Sequence, residues 1–200
     1  EKVSSNFFNK NKISKKKPLI AILPGSRKQE IKRMVKTLIE TSKKILEFQF
    51  VLAAAPGIEI NWYKKYIDNT DIIIVKNQTY DLLKASEAAI VSSGTATLET
   101  AIIGVPQVVC YKTNFFTYQI AKRLVKLKFI SLVNLILNKK IVEELIQKKF
   151  TTNNLSIALE KILIEKNQNT IKKEYRKIIS KLGAKSASKT TARLIVSSIK

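Results

Sequence analysis

Residues 88–99 read Ala-Ala-Ile-Val-Ser-Ser-Gly-Thr-Ala-Thr-Leu-Glu, an apolar run that ends in a turn of small residues. The run predicts a buried strand over 88–91, and the positions from 98 to 103 show helical periodicity. Gly94 allows a close approach of the backbone to a ligand, and the first N–H groups of a helix beginning near Thr95 are free to bind phosphate oxygens. Glu99 follows about one turn into this helix. Taken alone, the stretch is equally well explained by an ordinary turn that Thr95 caps.

A second strand-to-turn junction matches the first. Residues 19–27 read Leu-Ile-Ala-Ile-Leu-Pro-Gly-Ser-Arg, an apolar strand that runs into a turn. Ser26 and Gln29 stand at the spacing of a capping box, which predicts that a helix begins here. Arg27 then projects from the first helical turn, where the helix dipole disfavours a cation unless an anion such as a diphosphate binds it. The alternatives for Arg27 are an ion pair with Glu30 or simple exposure to solvent.

Apolar runs that alternate with helical periodicity predict an α/β fold. Further strand-like runs lie at 50–54, 71–75 and 107–110, and further helical periodicity lies at 31–46 and 80–85. We therefore expect a Rossmann-like open parallel sheet with both faces covered, and a ligand beyond the carboxyl ends of its strands. Beyond Tyr111 we find no strand signal, so a helical tail is predicted as far as residue 200. Two apolar stripes in this tail are interpreted as core packing; they consist of Ile171, Tyr175, Ile178, Ile179 and Leu182, and of Leu194, Ile195 and Ile199.

Length and composition exclude several classes of function. The 200 residues are enough for one domain with a sizeable core. Because the chain begins at Glu1 rather than at methionine, and has no apolar run that could span a bilayer and no leader pattern, we expect a cytoplasmic fragment. The single cysteine, Cys110, and the absence of histidine exclude an internal disulfide, a Ser-His-Asp triad and an ordinary zinc site within this chain. Cys110 is expected to be a buried apolar side chain.

The charge favours anionic partners. The formal net charge of +22 arises from 37 Lys and Arg residues against 15 Asp and Glu residues. A compositional bias of the coding genome is the alternative explanation for part of the lysine excess. Nucleic acid is not expected, because the sequence has no arginine-rich recognition helix. Residues 115–129 form a basic amphipathic helix pattern. Such a helix can lie in an anionic membrane surface or pack against the sheet, and both interpretations remain open.

Four signatures in order give residues 19–147 a resemblance to the C-terminal half of the lipid-A-disaccharide synthase family, glycosyltransferases of the two-domain GT-B type. The signatures are 23–27 with Glu30, 93–99, 108–112 continuing through 115–126, and 130–136 followed by 142–147. The resemblance implies transfer of 2,3-diacylglucosamine from UDP to 2,3-diacylglucosamine 1-phosphate (lipid X), with release of UDP. It further implies that the missing N-terminal domain supplies most of the acceptor site and the catalytic carboxylate. No metal or other cofactor is implied, and the expected place is the cytoplasmic inner face of the inner membrane, at its anionic surface.

The resemblance also implies roles for the residues of the two turns. Arg27 would hold the diphosphate of the UDP-diacylglucosamine donor, with Gly25 and Ser26 beside it. Gly94, Thr95 and Ala96 would donate hydrogen bonds to the same phosphates. Glu99 would accept the ribose hydroxyls.

Further site residues rest on the third and fourth signatures and on a loop. Asn134 is an expected active-site residue, and Lys76 and Asn77 are expected near the uracil. Lys112 stands where the family usually has arginine, which keeps the charge and loses the bidentate fork. Val133 stands where the family usually has proline, so we expect a less rigid loop around Asn134.

The predicted organisation is an interdomain linker over 1–18, a UDP-sugar-binding domain over 19–150 and a helical extension over 151–200. In this architecture the last helices commonly cross to the N-terminal domain, so the stripe at 171–182 is also a candidate surface for self-association. Two other classes of function remain open. One is another GT-B enzyme for UDP-sugars, an epimerase or the peptidoglycan glucosaminyl transferase. The other is a basic anion-binding module without catalysis.

Overall fold

The computed structural model describes residues 3–114, 128–183 and 187–198. Within these residues a sheet of six parallel strands has the order β3-β2-β1-β4-β5-β6. The strands are β1 Leu19–Leu23, β2 Gln49–Ala54, β3 Ile73–Lys76, β4 Ser86–Ser92, β5 Gln107–Tyr111 and β6 Glu143–Ile146. The predicted class, an open parallel α/β sheet, is confirmed.

Helices connect and cover the strands. They are α1 Phe7–Lys10, α2 Lys28–Ser42, α3 Ile60–Ile67, α4 Thr79–Lys84, α5 Thr95–Ile103, α6 Leu132–Leu137, α7 Thr152–Leu163, α8 Glu165–Leu182 and α9 Ala187–Ser198. The three stretches of predicted helical periodicity overlap α2, α4 and α5, although the first was predicted to continue past the end of α2 at Ser42. None of the helices among the described residues is both long and apolar enough to cross a membrane.

The sixth strand corrects the prediction of an entirely helical tail. β6 pairs in parallel with β5, with Val108 opposite Glu143 and Tyr111 opposite Ile146. Its sequence is Glu-Glu-Leu-Ile, and the two acidic residues interrupt the apolar run by which the other strands were found. β6 stands last in the strand order and pairs with one neighbour only, so its outer side does not require a continuous apolar sequence.

The core lies on both faces of the sheet. In β1 every residue is buried: Ile20 and Ile22 face one apolar cluster, while Leu19, Ala21 and Leu23 face the other. The first cluster is closed by buried side chains of α2, α3, α7 and α8. The second is closed by α1 and α4. Burial on both faces explains why the strands read as nearly continuous apolar runs.

The predicted boundaries at residues 18 and 150 do not coincide with breaks in the packing. Before β1, Phe7 is fully buried and Ile13 is 5% exposed, both against the second cluster. The side-chain amide of Asn11 donates to Oε1 of Gln78 at 3.0 Å, which ties this segment to the turn before α4. After residue 150, α7 and α8 contribute to the main core. Whether residues 1–18 join two domains stays a prediction.

The apolar stripes of the tail divide in two. Ile171, Tyr175 and Ile178 are buried as predicted, and Cys110 is a fully buried apolar side chain whose burial raises the pKa of its thiol. The prediction is wrong for four side chains, which are between 45% and 61% exposed: Ile179, Leu182, Leu194 and Ile195. They belong to the last turn of α8 and to α9, beyond the part of the tail that packs on the sheet. Ile199 lies outside the described residues.

Replacing Phe7 with alanine tests whether the leading segment is part of the fold. We expect Phe7→Ala to lower the free energy of unfolding by about 3 to 5 kcal/mol, because a fully buried ring is removed. Urea denaturation measures the loss, and the adjacent, partly buried Phe8 provides the control, since Phe8→Ala should cost less. A Phe7→Ala variant as stable as the unsubstituted chain would show that the segment does not pack on the sheet.

Candidate functional site

A cavity of about 390 Å³ opens at the carboxyl ends of the central strands. Both turns singled out from the sequence border it, one after β1 and the other after β4. Its lining comprises Leu23, Pro24, Gly25, Ser26, Arg27, Glu30, Ala53, Ala54, Ala55, Pro56, Thr79, Ser92, Ser93, Gly94, Thr95, Ala96 and Tyr111. The predicted convergence of the two turns on one cavity is therefore confirmed.

The sheet order explains this convergence. β1 and β4 are neighbours, and Leu23 pairs with Val91 at their carboxyl ends, so the two following turns lie side by side. Strands β2 and β3 lie on one side of β1, whereas β4 to β6 lie on the other, so the strand order reverses between β1 and β4. Open α/β sheets form their ligand crevices at such a reversal of strand order. Gly25 has a φ of +92°, and a Cβ atom there would lie 3.0 Å from Oγ of Ser92. Glycine is thus required both by its backbone angle and by the closeness of the two turns.

The helices that leave these turns begin without a side-chain cap. α2 begins at Lys28 with Arg27 as its N-cap residue, and no side chain accepts a hydrogen bond there. The predicted capping box of Ser26 and Gln29 is wrong, because the helix begins one residue later than that spacing requires. α5 begins at Thr95 with Gly94 as its N-cap residue, and again no side chain caps it. A cap by Thr95 is therefore not the explanation of this turn, and both helix N-termini at the cavity meet the electrostatic requirement for an anion.

Arg27, Glu30 and Tyr111 form a polar group on the cavity wall. Nη1 of Arg27 lies 3.2 Å from Oε1 of Glu30, and the Tyr111 hydroxyl donates to the same oxygen at 3.5 Å. The Arg27 side chain is 78% exposed, whereas that of Glu30 is 13% exposed. The ion pair considered as an alternative for Arg27 is thus present, and it lies at the cavity itself. One guanidinium N–H group is used by Glu30, so several others remain for a ligand.

The whole chain resembles one enzyme family. The sequence profile of the lipid-A-disaccharide synthetase family matches residues 1–197. The chain belongs to this family.

Individual relatives agree with the profile. The lipid-A-disaccharide synthase of Syntrophus aciditrophicus is 33% identical over 189 residues, which cover 90% of this chain and 49% of that protein. The lipid-A-disaccharide synthase of Colwellia psychrerythraea is 34% identical over 192 residues, which cover 92% of this chain and 48% of that protein. The chain spans about half the length of the curated relatives it matches.

Solved structures of glycosyltransferases share the fold. The calicheamicin glycosyltransferase CalG4 superimposes with a TM-score of 0.60 at 14% identity, over 90% of this chain and 43% of that one. At this identity the similarity concerns the fold, and it agrees with a Rossmann-like GT-B domain. The expected resemblance to the lipid-A-disaccharide synthase family is confirmed.

Glu99, the family's expected ribose ligand, lies just outside the cavity lining, about one turn after Ala96 in α5. Its Oε2 accepts a hydrogen bond from the Tyr80 hydroxyl at 3.1 Å. This hydrogen bond and the negative charge of Glu99 raise the pKa of the Tyr80 hydroxyl above its ordinary value. Tyr80 follows Thr79, which lines the cavity, so this pair stands at the rim between α4 and α5.

Three other predicted family positions do not line the cavity in this structure. Lys76 ends β3, and its Nζ lies 3.5 Å from a carboxylate oxygen of Glu59. Asn77 follows with a φ of +57°, at the turn into α4. Lys112 follows the end of β5. Their contacts with a nucleotide stay predictions.

Asn134 lies in the first turns of α6 and is fully buried. Its Nδ2 donates to the Val142 carbonyl at 2.9 Å and to Oε1 of Glu144 at 2.8 Å, while its Oδ1 accepts from the backbone of Ile141 and Val142. These bonds join α6 to β6, and Asn134 is not among the cavity lining. Its active-site role stays a prediction. Val133 lies in the first turn of α6, so the expected loop is helical here.

Part of the lining gave no signal in the sequence. Residues 53–56 comprise the last two residues of β2 and the two that follow it, and small apolar residues at a strand end do not indicate a ligand site in a sequence. Glu30 and Tyr111 stood in family signatures without being predicted as site residues. The basic amphipathic stretch 115–129 lies outside the described residues except for its last two positions. In the described parts of the chain, no group of three or more His, Cys, Asp or Glu residues could hold a metal ion.

Substituting Gly25 tests the closeness of the two turns. We expect Gly25→Ala to destabilise the chain by about 1 to 3 kcal/mol, because alanine is strained at a φ of +92° and its Cβ meets Ser92. Gly57→Ala is the matched control, since nothing lies within 4 Å of a Cβ atom there. Urea denaturation of both variants measures the difference. Equal stability of the two variants would contradict the account of this turn.

Proposed function

We propose that this chain is the nucleotide-sugar-binding half of a lipid A disaccharide synthase. In the proposed reaction 2,3-diacylglucosamine passes from UDP to 2,3-diacylglucosamine 1-phosphate (lipid X), and UDP is released. Membership of the family supports the reaction class. The observation that supports this role within the enzyme is the single cavity between the uncapped N-termini of α2 and α5.

The chemistry of the cavity suits a diphosphate leaving group. Two helix N-termini provide backbone N–H donors and the positive ends of two helix dipoles. Arg27 adds a planar guanidinium, which can bind two phosphate oxygens at once and neutralise the charge that develops when UDP leaves. This set of donors can neutralise a diphosphate without a metal ion, so we propose that binding of the donor needs none.

The remainder of the reaction is assigned to another part of the enzyme. Because the chain spans about half the length of its relatives, we propose that the other half supplies the acceptor site and the catalytic carboxylate. The chain by itself is then expected to hold the nucleotide without completing the transfer. The two rival functions are distinguished in different ways. The profile that matches this chain is that of the lipid-A-disaccharide synthetase family, which disfavours an epimerase or a peptidoglycan transferase. A basic anion-binding module would bind inorganic anions as well as it binds UDP, and a binding experiment tests this.

Calorimetry with UDP tests the proposed nucleotide site. We expect Arg27→Ala to weaken UDP binding by about tenfold or more, because a charge-assisted hydrogen bond to phosphate is lost. Arg193→Ala is the matched control: it removes the same charge from an exposed position on α9 that does not line the cavity. EDTA should leave the affinity unchanged.

Two results would contradict this function. One is equal UDP affinity of the Arg27→Ala and Arg193→Ala variants. The other is a heat of binding that inorganic sulfate at the same concentration abolishes, since this would indicate a general anion site rather than a nucleotide site.

We also propose that the chain contacts an anionic membrane surface. The proposed substrates carry acyl chains, and the net charge of +22 attracts the chain to negatively charged lipids. Exposed lysines such as Lys15, Lys16 and Lys17 contribute to this charge without requiring a membrane-spanning helix.

Vesicle sedimentation tests the membrane contact. The chain should sediment with vesicles of phosphatidylglycerol and phosphatidylcholine at low ionic strength, and much less with phosphatidylcholine alone. Raising the salt concentration to about 0.5 M should release most of the bound chain, because salt screens the attraction between exposed lysines and anionic lipids. Equal sedimentation with neutral and anionic vesicles would contradict an electrostatic contact.

A further inference from the structure

The Tyr80 side chain makes a contact that the proposed roles of the other residues do not use. The residue is 57% exposed, and its hydroxyl reaches across from α4 and donates to Oε2 of Glu99 on α5 at 3.1 Å. The hydrogen bond fixes a carboxylate that otherwise has three rotatable side-chain bonds.

We propose that Tyr80 is a positioning residue for nucleotide recognition: it holds the Glu99 carboxylate at the cavity rim so that this carboxylate accepts the ribose hydroxyls of the donor. This inference rests on the proposed function, and it deepens that function by naming the residue that orients the carboxylate expected to bind the ribose. Tyr80 acts through Glu99 and does not itself contact the ribose.

The geometry of the rim supports this role. Thr79, immediately before Tyr80, lines the cavity, and Ala96, about one turn before Glu99, lines it from the other side. The bond between Tyr80 and Glu99 therefore links the two helices, α4 and α5, that border the same side of the cavity. Glu99 lies about one helical turn from the N-terminus of α5, where the phosphates of the donor are proposed to bind.

The chemistry of the pair explains how it discriminates. A carboxylate accepts about four hydrogen bonds, so one bond from Tyr80 leaves Oε1 and part of Oε2 for hydroxyl donors. Fixing the side chain before the ligand arrives reduces the entropy lost on binding. A nucleotide without ribose hydroxyls offers the Glu99 carboxylate no donors, so the orientation of this carboxylate does not strengthen its binding.

Calorimetry with two ligands tests the proposal on the full chain. The ligands are UDP and 2′,3′-dideoxyuridine 5′-diphosphate, and the variant is Tyr80→Phe, which keeps the ring and removes only the hydroxyl. We expect Tyr80→Phe to weaken UDP binding about three- to tenfold and to leave binding of the dideoxy ligand unchanged. In a Glu99→Ala background, Tyr80→Phe should have no further effect on UDP binding. Tyr66→Phe, on α3 and away from the cavity lining, is the matched control.

A spectroscopic measurement checks the contact independently of ligand binding. In Glu99→Gln the pKa of the Tyr80 hydroxyl should fall towards its ordinary value, because the negative charge and the acceptor that favour the neutral phenol are weakened. Ultraviolet titration of tyrosinate absorbance compares Glu99→Gln with the unsubstituted chain and detects this fall in pKa. The same comparison between Tyr80→Phe and Tyr80→Phe/Glu99→Gln should show no difference, because the tyrosine that responds to Glu99 has been removed.

The possible failures are distinguishable. If UDP binds to the unsubstituted chain but Tyr80→Phe weakens both ligands equally, or weakens neither, the positioning role is overturned and the nucleotide site stands. An equal loss in the Glu99→Ala background would also overturn it, since Tyr80 would then act without Glu99. If the unsubstituted chain does not bind UDP at all, the proposed function fails and this inference fails with it.

Discussion

The pairing of β1 with β4 determines the site. These strands are separated in the sequence by two helix-strand units and a further helix, yet they are hydrogen-bonded neighbours in register from Ile20 opposite Ala88 to Leu23 opposite Val91. The turns that follow them must therefore leave the same edge of the sheet at adjacent positions. Gly25 makes this possible, because any larger residue would meet Ser92. The cavity is a consequence of strand order and of one missing side chain.

The central part of the fold could be predicted from the sequence because each central strand is buried on two faces and reads as an apolar run. β6 could not be predicted in this way. Its Glu144 is a partly buried acceptor for the backbone N–H groups of Ile130 and Ser131, for the Ser131 hydroxyl and for Nδ2 of Asn134. A glutamate used in this way looks like a surface residue in a sequence, since its partners are defined only by tertiary structure.

The lining of the cavity could be predicted where the backbone has positive φ angles, and it was missed elsewhere. Gly25 and Gly94 have φ angles of +92° and +130°, and the sequence marks such positions with glycine next to a strand end. The part of the wall formed by residues 53–56 has no such sequence signal, because its small apolar side chains leave space for the cavity and carry no polar group. The capping box failed for a related reason. The four residues Ser26 to Gln29 match the pattern, but the N-cap residue of the helix is Arg27. Its side chain lines the cavity and does not cap the helix.

A carboxylate in the wall of a cavity that is proposed to bind a diphosphate is unfavourable unless its charge is compensated. Glu30 is compensated by Arg27 and by the Tyr111 hydroxyl, and its 13% exposure leaves little water to do so. The same ion pair restrains the guanidinium of Arg27, which is otherwise 78% exposed and would lose side-chain entropy on binding phosphate. A similar restraint is present between α4 and α5, where the Tyr80 hydroxyl restrains the Glu99 carboxylate by a hydrogen bond. In both pairs one polar partner orients the other before a ligand arrives, which lowers the entropic cost of binding in a cavity that is open to water.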